Sequence, residues 1–320
     1  MSIQVRTPFL RPRHRLSAMR RREAWAGVLF ASPVIVGLLA LALYPVAAMI
    51  FYSFTDYNIL QPPVWTGLNN YQDMFSNDPE FWTSLGNTVY YVAISVPLGL
   101  VVSLLLAMLL NQKLRAVAVF RALFYLPSVV PTVAGTLIWV WILNPQYGII
   151  NQALGFFGIQ GPSWLSDVTW SKPGLILMSL WSIGPSVIIF LAGLQDVPQI
   201  LYEAATIDGA GARRRFWSVT LPMITPTLLF NLVLGIINAF QIFAQAFVYS
   251  QTANGDGQGA SGNPGESTLM FVMYLYSKAF RDFDMGYACA LALVLFLIIL
   301  ALTLLVLATS RRWVYYEGAR

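Results

Sequence analysis

Six long apolar runs divide the chain, at residues 24–55, 86–110, 116–143, 173–194, 221–250 and 287–309. About 20 apolar residues suffice for a helix rising 1.5 Å per residue to cross the hydrocarbon. Each run therefore predicts a membrane-spanning helix, and the fold class is all-α and polytopic with six spans. The runs contain Pro33, Pro45, Pro97, Pro127 and Pro131, which predict bends, since proline removes a backbone donor and neighbouring helices must satisfy the released carbonyl. Residues 24–55 are too long for a signal-peptide core and show no small-residue cleavage site, so they are expected to be a retained span.

The polar segments between the runs differ in character. Residues 56–85 are aromatic-rich and predict a small interfacial helix near Asn69 to Phe75. Residues 144–172 predict a re-entrant or interfacial amphipathic piece, and the Gly-rich link at 251–266 is not expected to form a regular element. The link between the fourth and fifth runs is the densest: DVPQILYEAATIDGAGARRRFWSVTLPMITP, from Asp196 to Pro226. Pro198 suits a helix start, Leu201, Ala204 and Ala205 recur along one side, and Gly209 and Gly211 interrupt. A second helical stretch carries Arg213, Arg214, Arg215 and Phe216 and meets Pro222. The expected product is a short helix, a tight turn and a second helix, with small alanines permitting close approach and Glu203 and Asp208 open to a partner.

Composition supports a bilayer environment: 57% of residues are apolar and only 10% charged, against roughly 25% charged in soluble domains. Ten Trp, fifteen Tyr and twenty Phe fit aromatic anchoring at two interfaces. The net charge of +5 would suit nucleic acid, but the basic residues flank apolar runs instead of forming one stripe, so no nucleic-acid partner is expected. Basic residues gather in the tail at 1–23, which holds the sole His14, in the links holding Lys113, Arg115 and Arg213 to Arg215, and in the carboxyl tail at 311–320. The alternate links are acidic, at Asp56, Asp73, Asp78, Glu80, Asp167, Asp256, Glu266, Asp282 and Asp284. The positive-inside rule places both termini and the Asp196 to Pro226 stretch in the cytoplasm. The domain plan is a basic tail at 1–23, a spanning domain at 24–310 with its polar loop at 196–221, and a tail at 311–320.

Catalytic chemistry finds no foothold. The chain has no phosphate-binding G-x-x-x-x-G-K-[ST], no G-x-S-x-G elbow and too few His for H-E-x-x-H; Cys289 stands alone, and Asp256 lacks the repeated acidic spacing of a calcium loop. No catalytic residue, metal site or cofactor bound by this chain is expected. The span centres lack Asp, Glu, Lys, Arg and His, so driving energy is expected from elsewhere. The fifth run carries Asn231, Asn238, Gln241, Gln245 and Tyr249, spaced to share one side of a helix. Buried amides need partners, and neutral amides suit hydroxyl-rich solutes, so this side lines either a wet substrate pathway or a hydrogen-bonded helix contact. Asn87 and Tyr287 join as further pathway candidates. Phe240, Phe243 and Phe247 either offer an apolar ring face to the solute or pack against adjacent helices. A stand-alone secondary transporter or channel for a neutral polar solute is the alternative reading.

Glu203, Ala204, Ala205, Asp208, Gly209 and Ala210, followed by Phe216, Leu221 and Pro222, match the pattern E-A-A-x-x-D-G-A with its downstream F and L-P. On these residues the chain resembles the membrane-spanning permease subunits of bacterial binding-protein-dependent ATP-binding-cassette importers, in the maltose-type and glycerol-phosphate-type branch. The run ASPVIVGLLALALYPVAAMIFYSFTDY and the following W-T-G-L-N-N-Y look like the first member of a carbohydrate permease pair. The resemblance implies a type I importer permease fold in the bacterial inner membrane and a non-enzymatic role. It implies a second homologous permease in a heterodimer, a cytoplasmic ATPase dimer that uses ATP and Mg2+, and an external solute-binding protein delivering a sugar, oligosaccharide or polyol. Glu203 and Asp208 would orient the coupling helix in a groove of the ATPase, Ala204 and Ala205 would let it seat, and Gly209 and Ala210 would form the turn. Phe216 would wedge the second arm and Pro222 would mark entry to the fifth span. The chain lacks the additional amino-terminal spans and inserted external domain of the larger maltose permease.

Overall fold

The structure is a computed structural model that describes residues 18–112, 116–254 and 262–315. Lys113, Arg115, Asp256, most of the amino-terminal tail and the end of the carboxyl tail lie outside the described residues. Two units are distinguished, Met1–Phe51 and Tyr52–Arg320.

In the first unit a helix runs through Ala18–Leu38, widens to a π-helical turn at Leu39–Leu43 and resumes as an α-helix. The wide turn precedes Pro45, which has no N–H to return to the preceding turn, so the local shift in hydrogen bonding absorbs the proline without ending the helix. Its apolar stretch Trp25–Tyr52 is 28 residues, enough to cross with tilt.

The second unit is built on Pro79–Leu110, a helix of 32 residues that starts seven residues before the run's expected first residue, Gly86. The earlier start has a local cause. Asp78 caps the helix by accepting from the Phe81 N–H at 3.1 Å, and Pro79 sits in the first turn, where its missing donor costs nothing. The helix Met285–Ser310 starts the same way, with Asp284 accepting from the Tyr287 N–H at 3.1 Å.

The other three spans are broken. Val117–Val129 and Thr132–Ile142 meet at 102°, Ser171–Ser182 and Gly184–Gln195 at 51°, and Ala212–Met223 and Thr225–Phe240 at 65°. Pro127 and Pro131 flank the first break, Pro185 follows the second, and Pro222 and Pro226 flank the third, each removing a helix donor. Gly184 also brings the fourth span against the third: a Cβ there would sit 2.5 Å from the Phe124 carbonyl oxygen. Among the described residues three helices are long and apolar enough to cross a membrane, or up to six spans if each bent pair counts once, so the architecture is all-α and polytopic.

The fifth run departs from a continuous helix. Residues 241–243 interrupt it, leaving Thr225–Phe240 and Ala244–Asn254 as separate helices. Outside the spans, the helix Asn69–Ser76 forms where an interfacial helix was expected. It packs beside a hairpin of Thr55–Asp56 with Val64–Trp65, and Asn70 Nδ2 ties the two by donating to the carbonyls of Ser53 and Thr55, both at 3.0 Å. The helix Phe271–Phe280 has no counterpart in the sequence expectations.

Two apolar cores hold the second unit. One gathers Phe81, Tyr91, Leu143, Leu175, Phe240, Tyr249, Phe271 and Leu291, and the other Ala107, Leu110, Val187, Phe190, Leu194 and Ile224. Both use the Pro79–Leu110 helix, the first through residues 81–96 and the second through residues 107–110. The segment between them faces a polar cavity.

Candidate functional site: a polar cavity and an exposed coupling turn

The cavity encloses ≈ 540 Å³. Tyr91, Ser95 and Ser103 reach it from the second span, Thr132 from the third, Ser179, Ser182 and Ser186 from the fourth, and Asn231, Asn238, Gln241 and Gln245 from the fifth and the helix after it. Val96, Leu100, Ile183, Ile242 and Phe243 supply the apolar part, and the lining contains no ionisable side chain other than Tyr91. Such a surface offers donors and acceptors to hydroxyl groups and small apolar faces to ring carbons.

Of the fifth-run residues, Asn238, Gln241 and Gln245 share this cavity, and their carboxamides form no hydrogen bond with another described residue. Asn231 lines it too, but its Nδ2 donates to the Thr227 carbonyl at 3.0 Å and is spent on its own helix. Tyr249 is a correction to the expected single face. The interruption at 241–243 rotates the following helix, and Tyr249 is fully buried with its hydroxyl donating to the Trp164 carbonyl. Of the three phenylalanines, Phe243 lines the cavity; Phe240 is buried in the core and Phe247 packs on Tyr276, with ring centroids 5.8 Å apart. The serines were missed by sequence reasoning, although Ser179, Ser182 and Ser186, like Ser95 and Ser103, recur at helical spacing and so share a face.

Asn87 and Tyr287 also belong elsewhere. Asn87 Nδ2 donates to the carbonyls of Glu266 at 2.7 Å and Leu269 at 3.1 Å, and its Oδ1 accepts from Lys172 Nζ at 2.7 Å. It fastens the loop before Phe271 to the second span. Tyr287 and Tyr274 both donate to Asp78 Oδ2, while Asp78 Oδ1 caps the second-span helix. Burial, followed by the Asp78 carboxylate, pushes the Tyr274 hydroxyl's pKa up, so it stays protonated as the donor. One carboxylate thus joins three helices at the end of the bundle away from the Asp196 to Pro226 stretch.

That stretch folds as a helix, Gln199–Ile207, followed by a turn and a second arm through Ala212–Arg215, a π-helical turn at Phe216–Thr220 and Leu221–Met223. Gly209 stands at φ +73°, a region costly for residues with a Cβ, and the Ala210 N–H closes the turn on the Ala205 carbonyl at 2.8 Å. Two side-chain bonds staple the arms: Tyr202 and Thr220 hydroxyls lie 2.9 Å apart, and Arg215 Nη1 donates to Thr206 Oγ1 at 3.1 Å. Glu203, Ala204, Asp208 and Gly209 are exposed, Ala205 and Ala210 are half-buried, and Ile200 and Ile207 stand out with them. Glu203, Ile207, Tyr202 and Arg215 rim a hollow of ≈ 360 Å³. Phe216 is half-buried and lines a second hollow together with Tyr202 and Arg215, and Pro222 lies in the first turn of the segment leading to the 65° bend.

Broken spans around an uncharged polar cavity, with an exposed turn carrying apolar side chains at one end, are the features of a membrane transport protein. The chain belongs to the binding-protein-dependent transport system inner membrane component family, whose pattern it matches over residues 95–315. It is 41% identical over 299 residues to the probable ABC transporter permease protein YesP of Bacillus subtilis, covering 93% of this chain and 94% of that protein. It is 32% identical over 266 residues to the sulfoquinovosyl glycerol transport system permease protein SmoG of Agrobacterium fabrum, covering 82% and 83%. With the trehalose/maltose transport system permease protein MalF of Thermococcus litoralis it shares 34% identity over 243 residues, covering 75% and 81%. Among solved structures it is similar in fold to a chain of a bacterial alginate ABC transporter in complex with alginate pentasaccharide-bound periplasmic protein, with a TM-score of 0.77 and 21% identity over 91% of this chain and 96% of that one. Membership makes the chain a multi-pass inner membrane permease subunit and assigns ATP hydrolysis to a separate subunit. The stand-alone transporter or channel is thereby set aside.

Proposed function

We propose that this chain is one of two non-identical permease subunits of an ATP-driven importer for a sugar, oligosaccharide or related polyol, and that the cavity between its two cores is its half of the pathway. The observation that carries the reading is the lining: among the described residues, three carboxamides with no hydrogen-bond partner and a set of hydroxyls, with no carboxylate or cation among them. Asn238 and Gln241 contact the solute first and Gln245 next. Relatives that are permease proteins of trehalose/maltose, sulfoquinovosyl glycerol, lactose and arabinooligosaccharide transport systems support a saccharide. Glu203, Ala204, Ala205, Asp208, Gly209, Ala210, Phe216 and Pro222 form the coupling element, which seats in a cytoplasmic ATPase dimer using ATP and Mg2+. Closure of that dimer pushes on a turn stapled to the second arm, and the arm leads through the 65° bend directly into the cavity-lining helix Thr225–Phe240. Both termini are cytoplasmic, and a solute-binding protein delivers the solute to the opposite face.

The test is transport by the complete importer in proteoliposomes, with labelled saccharides offered through the purified solute-binding protein. Uptake that requires ATP and is lost on replacing Asn238 and Gln241 with Leu supports the reading. Unchanged uptake by the doubly substituted complex would exclude these residues from the pathway.

A further inference from the structure

Between the third and fourth spans a short helix is tied down by side-chain amides and shows large apolar side chains on its surface. Asn151 donates from Nδ2 to the carbonyls of Pro145 and Pro162, at 3.2 and 3.1 Å, and its Oδ1 accepts from Trp164 Nε1 at 2.8 Å. Gln152 Nε2 donates to the Tyr147 carbonyl at 3.0 Å, and Asn144 Oδ1 accepts from the N–H groups of Gln146 and Tyr147. The short helix Ile149–Phe156 packs Ile150 on the core, and its other side shows Phe156 at 87% exposure, Phe157 at 76% and Ile149 at 69%.

We propose that this segment is an interfacial anchor, with Ile149, Phe156, Phe157 and Ile159 seated in the headgroup boundary of the leaflet opposite the coupling turn. Two observations choose lipid over a protein occupant. Residues 122–166 contain no Asp, Glu, Lys, Arg or His, so the face has none of the charged groups that give a protein contact its register. The helix Thr132–Ile142 that leads into the segment ends on exposed Trp141, with exposed Tyr147 just beyond it: the two residue types concentrated at membrane boundaries. Because the face is uncharged, its seating depends on apolar burial and not on anionic lipid. Anchored there, the segment holds the outer arm of the 102° break at a fixed depth while the inner arm moves.

Collision accessibility tests this in the complete importer, assembled with cysteine-free partner subunits in phosphatidylcholine nanodiscs. The background substitution Cys289→Ala removes this chain's sole cysteine. Phe157→Cys then carries a nitroxide, and power saturation compares oxygen with a water-soluble nickel chelate. The expected result is high oxygen and low nickel accessibility, unchanged when phosphatidylglycerol is added. High nickel accessibility places the segment in water and overturns the proposal. Low accessibility to both places it against a subunit and overturns it equally. Ile149→Cys gives the same readings from the other end of the helix, so failure of one label to assemble leaves the decision intact.

Discussion

Replacing Gly209 with Val isolates the geometry of the coupling turn from its contacts. No atom lies within 4 Å of a Cβ built at Gly209, so the substitution meets no steric obstacle and acts through the backbone alone, at φ +73°. An L-residue in the left-handed region costs ~1–2 kcal/mol, and a β-branched one sits at the upper end. At 1.4 kcal/mol per tenfold, about 2 kcal/mol lowers the share of the native turn roughly 30-fold against alternatives. The spans are untouched, so insertion and thermal stability of the subunit should stay near the unsubstituted level. Substrate-stimulated ATP hydrolysis and uptake by the assembled importer should fall by about an order of magnitude or more. Two companions separate backbone from side chain. Gly209→Asn should retain most activity because Asn tolerates this conformation. Gly211→Ser should be nearly silent, since Gly211 has φ −66° and ψ 169°, open to any residue, and Ser is a favoured helix cap. Full coupling in Gly209→Val, or an equal loss in Gly211→Ser, would refute the assignment of the turn.

Glu203→Ala should leave insertion unchanged and reduce ATPase association, measured by co-purification with the nucleotide-binding subunit. Asn238→Leu or Gln241→Leu should each weaken substrate stimulation by about 3- to 10-fold, the equivalent of one neutral hydrogen bond, with ATP affinity constant. Asp78→Ala removes the acceptor of two buried tyrosine hydroxyls and a helix cap, at ~1–3 kcal/mol and ~1 kcal/mol respectively. The subunit's unfolding transition should shift clearly downward, whereas Glu80→Ala, beside it but without these bonds, should not shift it.

The spans were legible wherever length and absence of charge suffice, as in Pro79–Leu110 and Met285–Ser310. Glu203 to Ala210 was legible because a glycine at positive φ after a short amphipathic helix leaves a local signature. The interruption at 241–243 was not, since no Gly or Pro marks it; its consequence, the burial of Tyr249, followed from a helix rotation that periodicity alone cannot contain. Phe271–Phe280 escaped for a different reason. Its hold comes from partners distant in sequence, Phe81 at 5.8 Å between ring centroids and Asp78 through Tyr274. The cavity serines had the right spacing, but serines in spans also bond their own helix, as Ser179 Oγ does to the Ile176 carbonyl at 2.7 Å, so spacing did not tell lining from self-satisfaction.

The most direct test is a structure of the complete importer with its solute trapped in the membrane domain. The account places the solute in the cavity between the two cores, with its hydroxyls in hydrogen-bond reach of Asn238 and Gln241 and a ring face toward Phe243. Solute bound along other helices, with both carboxamides packed against protein, would contradict it.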